Sequence, residues 1–253
     1  IIIWSMLTKL HQSAASQQIF SAQSMLPEDD EVDASHIYPF FTISIAPYCN
    51  GALIDRRIVL STASCLSKFG IKPNQLPYTD FSAVVGAYDF TKLSIVGTKR
   101  KIIERITHPD FDVDEPDTYS TSNYELWILD RPIKGRKYKP IPMNFDAEIP
   151  FKGQILRALK FPLTFVRQPE SSYAILLRQL DLEVLPDENC TETLFERKKG
   201  IFANNTELCA MRQSDLDTPL CLGDSAAPLF AWAGGPTKLI GLSSFSICGQ
   251  SDT

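Results

Sequence analysis

Six cysteines, three histidines and a serine in the run Gly223-Asp224-Ser225 are the residues of this chain whose chemistry demands a partner. Cys49, Cys65, Cys190, Cys209, Cys221 and Cys248 form three local groups. They contain no Cys-x-x-Cys pair and no Cys/His cluster at zinc spacing, so no metal site is expected. The set is even, which leaves three disulfides or six separate thiols. Sequons at Asn189-Cys190-Thr191 and Asn204-Asn205-Thr206 tilt the choice towards the secretory pathway and disulfides, and make Asn189 and Asn204 the glycosylation candidates. No glycine-rich phosphate loop is present, and no cofactor is expected. A serine hydroxyl near pH 7 is a poor nucleophile and needs a base within hydrogen-bond reach. The only histidines are His11, His36 and His108, and a lone Gly-Asp-Ser would mean little.

The elements that must position these residues read as short strands. Phe40–Ile45, Arg57–Leu60, Ala83–Val85, Ile102–Ile106, Leu126–Leu129, Tyr173–Leu177 and Leu239–Leu242 are apolar or alternating runs. Pro, Asn, Asp and Gly punctuate the gaps, which indicates a sandwich or barrel and not βαβ units. Asp187 to Lys199 is predicted to carry a short helix. Residues 1–35 read as an N-terminal segment, with an apolar start at Ile1–Leu7 and small residues at Ser13–Ser16, the pattern of a signal-peptide remnant followed by a linker. Its acidic run Glu28–Glu31 reads as a solvated loop. With 253 residues and 44% hydrophobic content, residues 36–253 can bury a sizeable core as one domain. A net charge of −5 argues against a nucleic-acid partner, and no stretch is long and apolar enough for a membrane span.

A family resemblance rests on several motifs in order. Cys49-Asn50-Gly51-Ala52-Leu53-Ile54 resembles the Cys-Gly-Gly-Ser-Leu-Ile strand of chymotrypsin-like and trypsin-like serine proteases. Val59-Leu60-Ser61-Thr62-Ala63-Ser64-Cys65 is similar to the segment that carries their histidine. Gly86–Asp89, Thr107–Phe111 and Cys221–Leu229 follow, the last resembling the nucleophile loop, and Gly241–Ser246 resembles the substrate-binding strand. The resemblance spans about Tyr38 to Cys248. It implies an all-β fold of two antiparallel six-stranded β-barrels with a cleft between them. It also implies disulfides Cys49–Cys65, Cys190–Cys209 and Cys221–Cys248. The chain stops at Thr253, just past Cys248, where the family continues with a final strand and a C-terminal helix. That is read as a truncated second barrel, since an open barrel edge invites aggregation.

Carried over position by position, the resemblance describes a degenerate triad. Ser225 stands at the nucleophile, with the backbone N–H groups of Gly223 and Ser225 as the remnant of an oxyanion hole. Ser64 stands where the family has its base, and no group of serine titrates near neutrality. The orienting aspartate is replaced by Asn123 or, in an alternative register, by Tyr124. Asp→Asn at that position alone costs about 10⁴ in kcat by imposing the wrong histidine tautomer. His108 is expected on a surface connection away from the cleft. Pro219 stands where trypsins carry the specificity-pocket aspartate, and Ser246 replaces a pocket-wall glycine. Ala226-Ala227 stand where the family has two glycines, so a positive φ at either would strain it. No activation segment is found around Ser24–Asp30, which leaves Asp224 without its usual amino-group partner.

These departures imply a catalytically inactive, secreted protease homologue of the arthropod type. It would act through extracellular protein partners as a cofactor, decoy or regulator in an immune or reproductive process. The alternative is a weak or unusual serine hydrolase using Ser225 with another base. A loop insertion from Asp112 to Ser122 is a place where a partner could dock.

Overall fold

The computed structural model describes residues 2–3, 38–45, 48–76, 80–112, 122–161, 176–189, 206–211, 225–231 and 237–244. Six strands close on themselves as the first unit: β2 (Phe41–Ile45), β3 (Asn50–Asp55), β4 (Ile58–Ser61), β5 (Ser82–Val85), β6 (Thr98–Thr107) and β7 (Glu125–Leu129). Their order around the barrel is β2-β3-β4-β7-β6-β5, and β2 pairs back onto β5 with Thr42 opposite Val85. Period-two alternation explains the closure. Inward residues such as Ile43, Leu53, Val59, Trp127 and Leu129 are fully buried, whereas exposed residues such as Lys99 and Lys101 lie outside. Two short helices interrupt the strands, α1 (Ala63–Ser67) after β4 and α2 (Leu93–Val96) before β6.

The second unit is a six-stranded antiparallel sheet built from β1 (Ile2–Ile3), β8 (Ile155–Lys160), β9 (Arg178–Val184), β10 (Leu208–Met211), β11 (Pro228–Ala231) and β12 (Lys238–Leu242). Its order is β1-β10-β9-β8-β11-β12. The edge strands β1 and β12 come within 8 Å of one another (Cα–Cα), so the sheet curls most of the way round. Of the N-terminal segment 1–35, only Ile2 and Ile3 are described, and they pair with Cys209 and Leu208. The run predicted as a strand over Tyr173–Leu177 is described only at its end, where Leu176 bridges to Asp89. The short helix predicted from Asp187 is helical over 187–189, and the rest of it lies outside the described residues. Strands β8 to β11 were not anticipated. β9 is an alternating run, with Leu180, Leu182 and Val184 inward, that polar Asp181 and Glu183 disguise.

An apolar seam joins the units. The ring of Phe230 on β11 lies 5.5 Å from Tyr38 and 5.3 Å from Phe40, and Phe161 packs on Phe41 and Phe90 at 5.5 Å each. Such edge-on and tilted pairs add about 0.5–1.5 kcal/mol each beyond the area they bury. Polar contacts lock the seam rim. The Tyr38 hydroxyl donates to Gln179 Oε1 at 2.8 Å and accepts from Arg157 Nη1 at 3.4 Å, while Arg157 is itself fixed within the second unit by donating to both Asp181 oxygens at 2.7 and 2.9 Å.

A charged pair lies inside the first barrel. Arg105 on β6 and Glu125 on β7 have side chains with no exposed surface. Arg105 donates to Glu125 and also to the carbonyls of Lys72 and Gln75, so one guanidinium holds the 71–76 loop against the barrel. Burial pushes the Glu125 carboxyl above its usual range, while Arg105, Trp127 and Thr107 donate to it and pull the other way. Removing one partner from a buried pair strands a charge, and the loss is about 3–5 kcal/mol. Glu125→Ala is therefore expected to destabilise the chain by that amount in a denaturant titration. The double change Arg105→Met with Glu125→Leu removes both charges at once and is expected to cost less than Glu125→Ala alone.

Candidate active-site cleft

Ser64 sits in the first turn of α1, 2% exposed, and Asn123 lies just before β7. Because β4 pairs with β7, with Ser61 opposite Glu125, the segments on either side arrive together. The backbone N–H of Ser64 donates to Asn123 Oδ1 at 2.8 Å. Asn123 Nδ2 in turn donates to Ser64 Oγ at 2.9 Å and to Ser244 Oγ at 2.7 Å. The orientation of the amide follows from the partners. A backbone N–H can only donate, so Oδ1 must face it, and both amide hydrogens then point at hydroxyl oxygens. Of the two registers open in the sequence, Asn123 is thus the residue bonded to Ser64. Tyr124 turns aside, its ring 4.5 Å from that of His108, and its hydroxyl pKa is raised by burial and by Asp110. His108 Nδ1 accepts from the Asp110 N–H at 3.2 Å.

Ser225 is held by its backbone. Its carbonyl accepts from Asn50 N at 3.3 Å and from Asn50 Nδ2 at 3.0 Å, across the two units. Asn50 is itself fixed where Ser61 Oγ donates to its carbonyl at 2.7 Å. The next residue, Ala226, donates its N–H to the Ser243 carbonyl at 2.7 Å, and Ser243 N–H returns a bond of 2.9 Å to Ala227. The 243–244 segment therefore does two things: Ser243 clamps the Ser225 turn, and Ser244 joins the Asn123 network. Ser244 went unremarked in the sequence because a serine after an apolar strand carries no signal until its partner is known.

Ala226 has φ of +63° and is fully buried. This is the left-handed region, which costs a side-chain-bearing residue about 1–2 kcal/mol. The strain anticipated for the Ala226-Ala227 pair falls on the first alanine, since Ala227 has a negative φ.

The disulfide Cys49–Cys65 forms as the resemblance implied, with Cα atoms 6.0 Å apart, and ties the start of β3 to α1. In the chain-entropy model a loop of this size contributes about 3 kcal/mol. Cys209 is disulfide-bonded too, to a partner outside the described residues. Cys190, Cys221, Cys248, Gly223, Asp224, Pro219, Ser246 and Asn204 lie outside the described residues, as does most of Asp112–Ser122. Asn189 is exposed. Among the described residues no group of His, Cys, Asp and Glu is placed to hold a metal ion, and no helix is long and apolar enough to cross a membrane.

Chemically, the described cleft offers hydroxyls and amides. Neither the Ser64 hydroxyl nor the Asn123 amide takes a proton near pH 7, so no described partner of these two supplies a general base.

A family model described as trypsin matches residues 34–253. A venom serine protease of Polistes dominula is 27% identical over 219 residues, covering 83% of this chain and 69% of that protein. Glucanase inhibitor protein 2 of Phytophthora sojae is 28% identical over 231 residues, covering 90% and 70%. Granzyme M of Rattus norvegicus is 26% identical over 200 residues, covering 78% and 69%.

Two substitutions test the geometry. Asn123→Leu removes three hydrogen bonds and leaves the buried Ser64 N–H unpaired, an expected loss of about 1–3 kcal/mol. Asn123→Asp still accepts from that N–H and from both hydroxyls once they rotate, so its urea midpoint at pH 7 is expected close to that of the parent. In the second test, Ala227→Gly should destabilise by about 1 kcal/mol through backbone entropy and lost burial. Ala226→Gly relieves the positive φ, and its melting temperature should lie clearly above that of Ala227→Gly.

Proposed function

The chain belongs to the trypsin family, and on that premise we propose that it is a secreted, non-catalytic protease homologue that acts by binding a protein partner. The reading is carried by the bonded trio Ser64, Asn123 and Ser244. Proteolysis by a serine requires a base that takes the hydroxyl proton and returns it to the leaving amine. In this trio the base position is a hydroxyl and the orienting position is an amide, and both are satisfied by each other. Ser225 is kept as a turn residue whose carbonyl anchors Asn50 and, through it, the first barrel. Gly223 as an oxyanion donor, Pro219 and Ser246 as altered pocket positions, and Asn189 and Asn204 as glycosylation sites belong to the same proposal.

The name of one relative, glucanase inhibitor protein, describes inhibition of an enzyme, which supports a role for this scaffold in holding a protein rather than cutting one. The Cys49–Cys65 disulfide supports an oxidising, extracellular setting. A cofactor, decoy or regulator in an extracellular immune or reproductive process fits that setting. A hydrolase reading has the retained Ser225 and a relative named as a serine protease in its favour, and it is the alternative that the test must separate.

Purified protein is expected to give no covalent adduct at Ser225 with a fluorophosphonate and no hydrolysis across a panel of peptide p-nitroanilides. Ser225→Ala should bind its extracellular partner as the parent does. Stoichiometric labelling at Ser225, or peptide hydrolysis that disappears in Ser225→Ala, would overturn the proposal in favour of the hydrolase.

A further inference from the structure

The chain has a net charge of −5, yet one region of the first barrel has the opposite sign. After β7 the chain runs Asp130-Arg131-Pro132-Ile133-Lys134-Gly135-Arg136-Lys137-Tyr138-Lys139, with five cations in ten residues. The two apolar residues of this loop are its anchors: Ile133 is fully buried and Tyr138 is 6% exposed. Tyr138 packs where Gly86, with φ of +72°, has no Cβ, and a Cβ there would fall 2.7 Å from the ring. With the anchors turned in, Lys134, Arg136, Lys137 and Lys139 are all left exposed.

Backbone bonds bring other cations beside them. The Asp130 N–H donates to the carbonyl of Lys101 at 2.9 Å, and the Ile133 N–H to that of Arg56 at 2.7 Å. On β6, exposed Lys99 and Lys101 share one face about 7 Å apart. Arg56 and Arg57 are exposed and held in place, Arg56 Nη1 on the Ile133 carbonyl and Arg57 Nε on that of Leu129. The acids on the same elements are Asp55, Glu104 and Asp130, all exposed. Asp130 lies 3.5 Å from Arg131, and Asp55 accepts from the Arg57 N–H. Nine exposed cations thus face three carboxylates.

We propose that this face, built by the 131–139 loop, Lys99, Lys101, Arg56 and Arg57, binds a sulfated polysaccharide. Protein partners are held by aromatic and apolar anchors in a desolvated centre, whereas here Ile133 and Tyr138 are turned into the barrel, and Ile103 and Ile106 on β6 are the large apolar side chains exposed on these elements among the described residues, neither of them aromatic. Single-stranded nucleic acid would need aromatic surfaces for stacking, and Tyr138 is covered. What remains is a spread of point charges suited to an extended polyanion with repeated charge. The choice of sulfated polysaccharide as that polyanion rests on the extracellular reading above. The face uses no cleft residue, so it is independent of whether Ser225 reacts.

Heparin is the probe. The purified protein is expected to be retained on immobilised heparin in 0.15 M NaCl. Its affinity should fall log-linearly with salt as counterions are released. Lys99→Glu with Lys101→Glu, and separately Lys134→Glu with Lys137→Glu and Lys139→Glu, should each weaken heparin binding at least tenfold and flatten that salt dependence. Circular dichroism should be unchanged, since these side chains are exposed. Lys152→Glu, a charge reversal before β8 in the second unit, should leave affinity within twofold. Failure of the parent protein to be retained overturns the proposal, as does an equal loss in Lys152→Glu. Tighter binding to polyglutamate or to duplex DNA than to heparin also overturns it.

Discussion

The seam of Phe40, Phe41, Phe161 and Phe230 is the constraint on which the rest of the molecule depends. Each β unit buries its own interior, but a cleft exists only if the two are held in one relative position. Interlocked rings do this because a close-packed apolar contact has few alternative arrangements of comparable energy. With the seam fixed, the Ser225 turn is carried against the start of β3, and the carbonyl of Ser225 meets both donors of Asn50. The 243–244 segment, reached through β12, then lies between that turn and Asn123.

The Asn123 network shows how an amide can hold this position without a carboxylate. A carboxylate at that position would accept every hydrogen bond offered to it. The amide accepts one and donates two, so the neighbours must supply acceptors, and two serine hydroxyls do. Neutral hydroxyls tolerate either arrangement because the proton rotates to suit. Satisfied polar groups in a buried setting are stabilising, whereas unsatisfied ones are costly. The present trio thus has a structural reason to persist that makes no reference to catalysis.

The charge distribution follows a similar economy. The loop after β7 is tethered by two apolar side chains and by main-chain bonds, and its remaining positions face solvent. Positions of that kind carry no folding constraint, so the sign of their charge is free to serve binding. Cations gathered there, against a net negative chain, produce a local field that salt would weaken. The buried Arg105–Glu125 pair is the opposite case, with charges bound into the core and serving to hold a loop.

The sequence by itself determined the all-β class and the family frame, while the pairing of Cys49 with Cys65 was only what the family resemblance implied until the structure showed the bond. Class and frame are written in local runs of residues: alternating strands, or motifs whose spacing is set by one turn or one strand. Strand β9 was harder to see because it is half-exposed and carries polar residues between its inward leucines, whereas β10 and β11 are apolar runs of only four residues, too short to show a period. The choice between Asn123 and Tyr124 was not in the sequence, since both registers satisfied the local pattern. It took the pairing of β4 with β7 to bring Asn123 onto the Ser64 N–H and send Tyr124 towards His108. The strain at Ala226 and the part played by Ser244 were likewise decided by tertiary structure. A backbone angle and a hydrogen bond spanning 121 residues depend on how distant segments meet, and no local run of residues encodes that meeting.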